Sequence, residues 1–173
     1  DKGEALLKRR FSGLDGKENS EQLFASHKAT LEDIRQNKLK DDSFEPVTIS
    51  TIPQVRMTRR LCGEYTLKES ENDKQFEDSI GMVGDWRKRG MVYEIPFRCL
   101  YSGKIRNLIG AGRCVSVDDG MWDIIRAIPG CAVTGEAAGI AAAQTCDFSQ
   151  LDRRALQDTL RKHGQKIHFA EAG

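Results

Sequence analysis

Between Ile128 and Thr145 the sequence reads IPGCAVTGEAAGIAAAQT, a run built almost wholly of small residues and entered through Pro129-Gly130. Proline suits the first turn of a helix and alanine is the best helix former, so the stretch predicts one helix ending near Thr145. Gly135 and Gly139 are four apart and share a face with Cys131 and Ala143. Each glycine costs a helix interior about 1 kcal/mol relative to alanine. Two on one face are tolerated most easily where the backbone comes very close to something, either a neighbouring strand or a flat ligand.

The residues before this helix supply a strand. Gly103 turns the chain, Ile105 to Ile109 reads as a short hydrophobic strand, and Gly110-Ala111-Gly112 ends it. A wandering stretch through Asp118, Asp119 and Gly120 follows, and Trp122, Ile124, Ile125 and Ile128 then bring apolar surface. A last helix is marked by a Ser149/Asp152 capping box, buried-side leucines at 151, 156 and 160, an Asp158/Lys162 pair and a stop at Gly164.

The first 100 residues are less regular. Ser20 is the expected cap of a helix carrying Phe24, Leu31 and Ile34 on one stripe, with His27 at its flank. Val47, Ile49 and Thr51 alternate as a short strand would. Thr66 to Ile80 is acidic and reads as a surface helix, Gly81 to Gly90 as a glycine-punctuated loop, and Met91 to Leu100 as a strand that Pro96 either places at an edge or ends. This divides the chain into a polar segment 1–46, a middle segment 47–102 and a C-terminal segment 103–173.

Composition removes several function classes. Lys plus Arg number 27 against 26 Asp plus Glu in 173 residues, so net charge gives no reason to expect nucleic acid or a membrane surface as partner. The five cysteines are scattered singly with no CxxC pair, which points to a reducing, cytoplasmic setting and to no metal site. There is no GxSxG, HExxH, Walker A or EF-hand pattern.

A strand ending in Gly-Ala-Gly, with a helix entered through Pro-Gly further on, suits a cofactor with phosphates or an electron-accepting ring. Glycines permit close backbone approach, and the positive helix end favours negative charge. Gly110 and Gly112 lack the third glycine and immediate helix of GxGxxG, so they are not a primary dinucleotide-binding turn. Arg56, Arg59, Arg60 and Arg98 are able to clamp a carboxylate or to serve solubility. Asp118-Asp119 reads either as a cation or hydroxyl ligand or as an exposed turn, and Cys114 beside Arg113 as a buried thiol rather than a nucleophile.

Several runs in order carry a resemblance. VRMTRRLCGEYTL from Val55, FEDSI from Phe76, YEIPFRCL from Tyr93, NLIGAGRCVS from Asn107, RAIPGC from Arg126 and GEAAGIAAA from Gly135 resemble the C-terminal half of a bacterial family of FAD-dependent oxidoreductases. That family is distantly related to the fumarate reductase and succinate dehydrogenase flavoproteins, and the likeness covers roughly Val55 to Gly164. The resemblance implies an α/β fold (α+β as an isolated fragment), namely the C-terminal part of an FAD/NAD(P)-binding Rossmann-like domain plus part of a substrate domain. It implies that FAD lies against Gly110, Ala111, Gly112, Arg113 and Cys114, with Pro129, Gly130, Cys131 and Gly135 at the pyrimidine end of its ring and Arg126 supporting the loop. Arg56, Arg59 and Arg98 would face the substrate as catalytic residues in hydride transfer.

Two departures from the family are visible. Where relatives carry a threonine-histidine pair after Gly-Arg-Cys-x-Ser, this chain has Val117-Asp118-Asp119-Gly120, and the segment after Ile80 has Trp86-Arg87-Lys88 in place of a histidine. The general acid is thus left unassigned. The GxGxxG strand and helix of relatives have no counterpart before Val47, so the adenosine diphosphate half of the site is expected from an absent N-terminal half or a separate FAD-domain chain. Further partners on this reading are a small-molecule substrate and, in a homo-oligomer, a second copy. The competing expectation is a non-catalytic structural or interaction domain that retains the flavoprotein scaffold.

Overall fold

Asp15 sits in extended backbone and its carboxylate accepts the amide of Glu18, so helix α1 runs Gly16–Lys40 in the computed structural model, which describes residues 9–172. The first eight residues of the expected segment 1–46 lie outside the described residues. The cap is therefore Asp15 and not Ser20, whose hydroxyl donates to the Gly16 carbonyl one turn back. The reason is the stronger pairing of Asp15 with Glu18, whose own carboxylate accepts the amides of Ser12 and Gly13. No residue of α1 is buried. Val47 to Thr51 has no ladder partner and so forms no strand; the segment instead meets α1 where His27 bonds the Ser50 carbonyl at 2.7 Å.

These residues belong to one compact unit, Asp1–Thr58; a second comprises Arg59–Gly173. In the second unit, β1 (Ser79–Gly84) pairs antiparallel with β2 (Val92–Pro96), opposing Met82 to Glu94 and Gly84 to Val92. The expected helix over Thr66 to Ile80 and the loop from Gly81 are corrected here. Only Glu69–Glu71 makes a helical turn, because backbone amides nearby go to distant carbonyls, Leu67 to Ser116 and Asp73 to Val92. Ile80 and Val83 are buried strand residues. Asp85 closes the hairpin loop: its carboxylate, wholly buried, accepts both the amide and the guanidinium of Arg87.

After Pro96 the chain makes a tight turn at Phe97–Cys99 and enters a second hairpin, β3 (Tyr101–Ser102) with β4 (Ile105–Ile109). Position 103, read from the sequence as a segment boundary, is the turn of this hairpin, and residues on both sides of it share one core. Asp118 caps α2 (Asp119–Ile125), replacing the expected irregular stretch. An 86° bend leads to α3 (Ile128–Gln144), which buries Gly130, Thr134, Ala137, Ala138 and Ala141. Helix α3 lies against β1 and α4 (Arg153–Lys162). Asp152 alone caps α4, accepting the amides of Arg154 and Ala155, and Asp158 pairs with Arg161 rather than Lys162.

The sheets of the described residues are antiparallel, with one isolated parallel bridge between Leu67 and Val117. The observed class is mixed helix and small antiparallel sheet. The parallel sheet of a Rossmann-like domain is not formed within the described residues. No single helix among them is long and apolar enough to cross a membrane.

One buried ion pair ties these elements together. Asp78, 3% exposed, accepts the backbone amide of Arg98 at 3.1 Å, its Nε at 2.9 Å and a terminal nitrogen at 3.0 Å. Replacing Asp78 by Asn leaves Arg98 with a weaker acceptor and is expected to cost about 2 kcal/mol in urea unfolding. Bonding to Arg87 holds Asp85 below its ordinary pKa. The stabilisation this gives is therefore present above the unfolded carboxyl value near pH 4 and is lost as pH falls through the lower folded value. Asp85→Asn is expected to flatten the acid limb of stability measured between about pH 5 and pH 2.

Candidate functional site

The strand β4 delivers its last residue to the turn Gly110 to Cys114, and three long-range contacts hold that turn in place. The Gly110 amide donates to the Leu100 carbonyl at 2.7 Å, the Cys114 carbonyl accepts from the Leu61 amide at 2.7 Å, and the Gly112 amide donates to the Thr134 hydroxyl at 2.9 Å. Thr134 is fully buried in α3 and its hydroxyl donates in turn to the Gly130 carbonyl at 2.7 Å. Gly112 has a φ of 66°, and a Cβ there would meet the Cys131 sulfur at 3.3 Å. Both features call for glycine.

The geometry therefore brings Gly110, Ala111, Gly112 and Cys114 together with Gly130 and Cys131. Arg113 and Cys114 expose their side chains, so the Cys114 thiol is not the buried one expected, while the Arg113 carbonyl accepts the Trp122 indole N–H at 2.6 Å. Gly130 is buried for a packing reason, since a Cβ there would lie 2.5 Å from the Ile125 carbonyl oxygen across the bend. Pro129 is exposed at the helix entrance, and the cap residue Ala127 offers no side-chain acceptor to the first amides of α3. Arg126 bonds Asp123, and its carbonyl accepts the Cys131 thiol at 3.4 Å.

Gly135 and Gly139 behave otherwise. Both are exposed, and nothing lies within 4 Å of a Cβ built on either. A neighbouring strand among the described residues is thus not the reason for glycine at these positions.

The expected substrate arginines part company. Arg98 has its Nε and one terminal nitrogen committed to Asp78 and its guanidinium carbon 5.0 Å from the centre of the Tyr65 ring. Its charged state is further favoured by that carboxylate. Arg59 is exposed and has no ion-pair partner among the described residues. Arg56, in the first unit, is exposed and reaches only the Gln54 side chain, at 3.4 Å. Arg60 pairs with Asp119 at 2.7 Å and covers the Trp122 ring at 4.9 Å, while Asp118 accepts the Met121 and Glu69 amides. The Asp118-Asp119 pair is thereby occupied in holding the fold.

Sequence reasoning missed Thr134. Its signal was a lone hydroxyl in a helix of small apolar residues, four after Gly130. The thiol chemistry is divided as well: burial pushes Cys99 up to about 12, leaving it a small apolar packing residue.

The model of the family described as FAD dependent oxidoreductase matches residues 8–160 of the 173, and the chain belongs to that family. No curated protein and no solved structure matches it.

Thr134→Val keeps the shape of the side chain and leaves the Gly112 amide without its acceptor. The expected result is a loss of about 1–3 kcal/mol in denaturant unfolding, with faster amide exchange at Gly112 than at helix positions of α4. Unchanged exchange at Gly112 would contradict its dependence on Thr134.

Proposed function

We propose that this chain, as a member of the FAD dependent oxidoreductase family, forms the pyrimidine-side part of a flavin site in an enzyme that passes hydride between a small carboxylate-bearing substrate and the cofactor. The observation that carries the reading is the bond from Gly112 to Thr134, which joins the glycine turn to the second turn of α3 and, through the Thr134 hydroxyl, to the Gly130 carbonyl in the first. A turn with a positive φ and a helix start with no side-chain cap are suited to a group that approaches backbone closely and carries negative charge. Bound FAD would supply the hydride acceptor or donor at N5 of its ring.

The remaining work falls to side chains and backbone of this chain. Gly110, Ala111, Gly112 and the Cys114 backbone would line the ribityl side. The first turn of α3, from Pro129 to Cys131, would place its positive end at the pyrimidine edge, where electron density gathers on reduction. Gly135, exposed one turn further on, leaves that face of the helix flat. Arg126, held by Asp123, would support the helix entrance.

For the substrate, Arg59 is the better clamp, because its guanidinium is exposed and not spent on a carboxylate of the described residues. Arg98 is a positioning residue on this reading, since it reaches the site through the turn at Phe97–Cys99 and not by its own charge. The phosphate-binding GxGxxG that the chain lacks would come from another segment or from a separate chain, and the assembled enzyme would reside in the cytoplasm.

The test is reconstitution with a GxGxxG-bearing segment, followed by flavin content and turnover. Arg59→Ala is expected to retain flavin and lose turnover about tenfold to a hundredfold, as deletion of one charged hydrogen-bonding partner does. Turnover equal to the parent protein would remove Arg59 from its role. If the reconstituted protein binds no flavin at all, the scaffold serves as an interaction module and the catalytic reading fails.

A further inference from the structure

A cleft of about 760 Å³ opens between the strand-leading segment Gln75–Asp78 and the first turn of α4. None of the residues assigned above to the flavin lines it, and its contents are unusual for a surface of near-neutral charge. Three arginines, Arg98, Arg153 and Arg154, face two carboxylates, Asp78 and Glu77. Asp78 is used up by Arg98, which it binds through two guanidinium nitrogens. Neither Arg153 nor Arg154 has a carboxylate partner among the described residues. Two guanidinium groups on adjacent residues thus stand in one cavity against a single remaining carboxylate.

The cleft is also fixed in width. Gln157, one turn into α4 and 7% exposed, donates through its side-chain amide to the carbonyls of Glu77 and Ser79, both at 2.8 Å. These two bonds tie α4 to the opposite wall on either side of Asp78. Leu156 and Leu160 hold the other face of α4 in the core. The backbone amides at the α4 start are already taken by the Asp152 carboxylate. Any attraction for an anion therefore comes from the arginine side chains.

We infer that this cleft binds a small oxyanion-bearing molecule, a phosphate or a carboxylate, through Arg153 and Arg154. Its volume lies in the range of small-ligand sites, and its walls are polar apart from Phe76. Guanidinium groups bind such oxyanions by paired, charge-assisted hydrogen bonds. Holding the backbone on both walls rigid lowers the ordering cost of binding. The inference is independent of the flavin assignment and survives its failure.

The experiment titrates the full chain, at low salt, with inorganic phosphate and separately with succinate, following backbone and side-chain amide resonances by NMR. Both arms are expected to shift the amides of Arg153 and Arg154 and the side-chain amide of Gln157. The tighter of the two probes identifies the ligand as phosphate-bearing or carboxylate-bearing. Arg153→Gln and Arg154→Gln are each expected to weaken binding about fivefold to tenfold, and Glu77→Gln to strengthen it by removing the opposing charge. All three side chains stand at exposed positions, so unchanged melting temperatures report an intact fold. Absence of shifts with both probes at millimolar concentration overturns the inference, and so does binding that the variant combining Arg153→Gln and Arg154→Gln leaves unaltered.

Discussion

A carboxylate buried at the foot of a strand is costly unless it is paired and hydrogen-bonded, and Asp78 meets that condition by drawing three hydrogen bonds from one residue twenty positions away. Arg98 answers with its backbone amide and two guanidinium nitrogens, while the Asp78 carbonyl takes the Phe97 amide at 2.8 Å. The turn at Phe97–Cys99 is thereby pinned under β1. From that turn the rest of the second unit is suspended. The Arg98 carbonyl accepts Tyr65, the Cys99 carbonyl accepts Ser116, and the Leu100 carbonyl accepts Gly110. The glycine turn of the candidate flavin site is thus two residues of chain and one hydrogen bond from the ion pair.

Another buried carboxylate works in parallel. Glu94, on β2 and fully buried, accepts the Phe76 amide at 2.8 Å and the Phe169 amide at 3.2 Å, and bonds His168 at 3.1 Å. It fastens both the chain entering β1 and the chain leaving α4 to the same hairpin. Ser79 adds a bond of 2.7 Å to the Ile167 carbonyl. The sheet is only two strands wide, a size that is marginal by itself, and these polar anchors with α3 and α4 make it the centre of a core.

The parts legible in the sequence were those set by neighbours in sequence. Gly103 announced a turn of the chain, Pro129 a helix start, and Leu156 with Leu160 a buried helix face, because each depends on local geometry or on a period. The stretch from Thr66 to Gly84 was misread for the opposite reason. Its acidic residues suit a helix in composition, but their backbone is claimed by Ser116, Val92 and β2. Helix α2 was hidden because Asp-Asp-Gly resembles a turn, and only Glu69 and Arg60 across the fold show what the two acids hold. At the site, the glycines were readable from their backbone needs. Arg98 was not, since nothing near it in sequence names Asp78 as its partner.

The outward side of α3 has a thermodynamic consequence. At Gly135 and Gly139 a methyl group would meet empty space, so alanine at either position would raise helix propensity by about 1 kcal/mol without a clash. The fold as it stands forgoes that gain twice along one turn. The outward face of α3 is thereby left flat over about one turn, at the expense of helix stability.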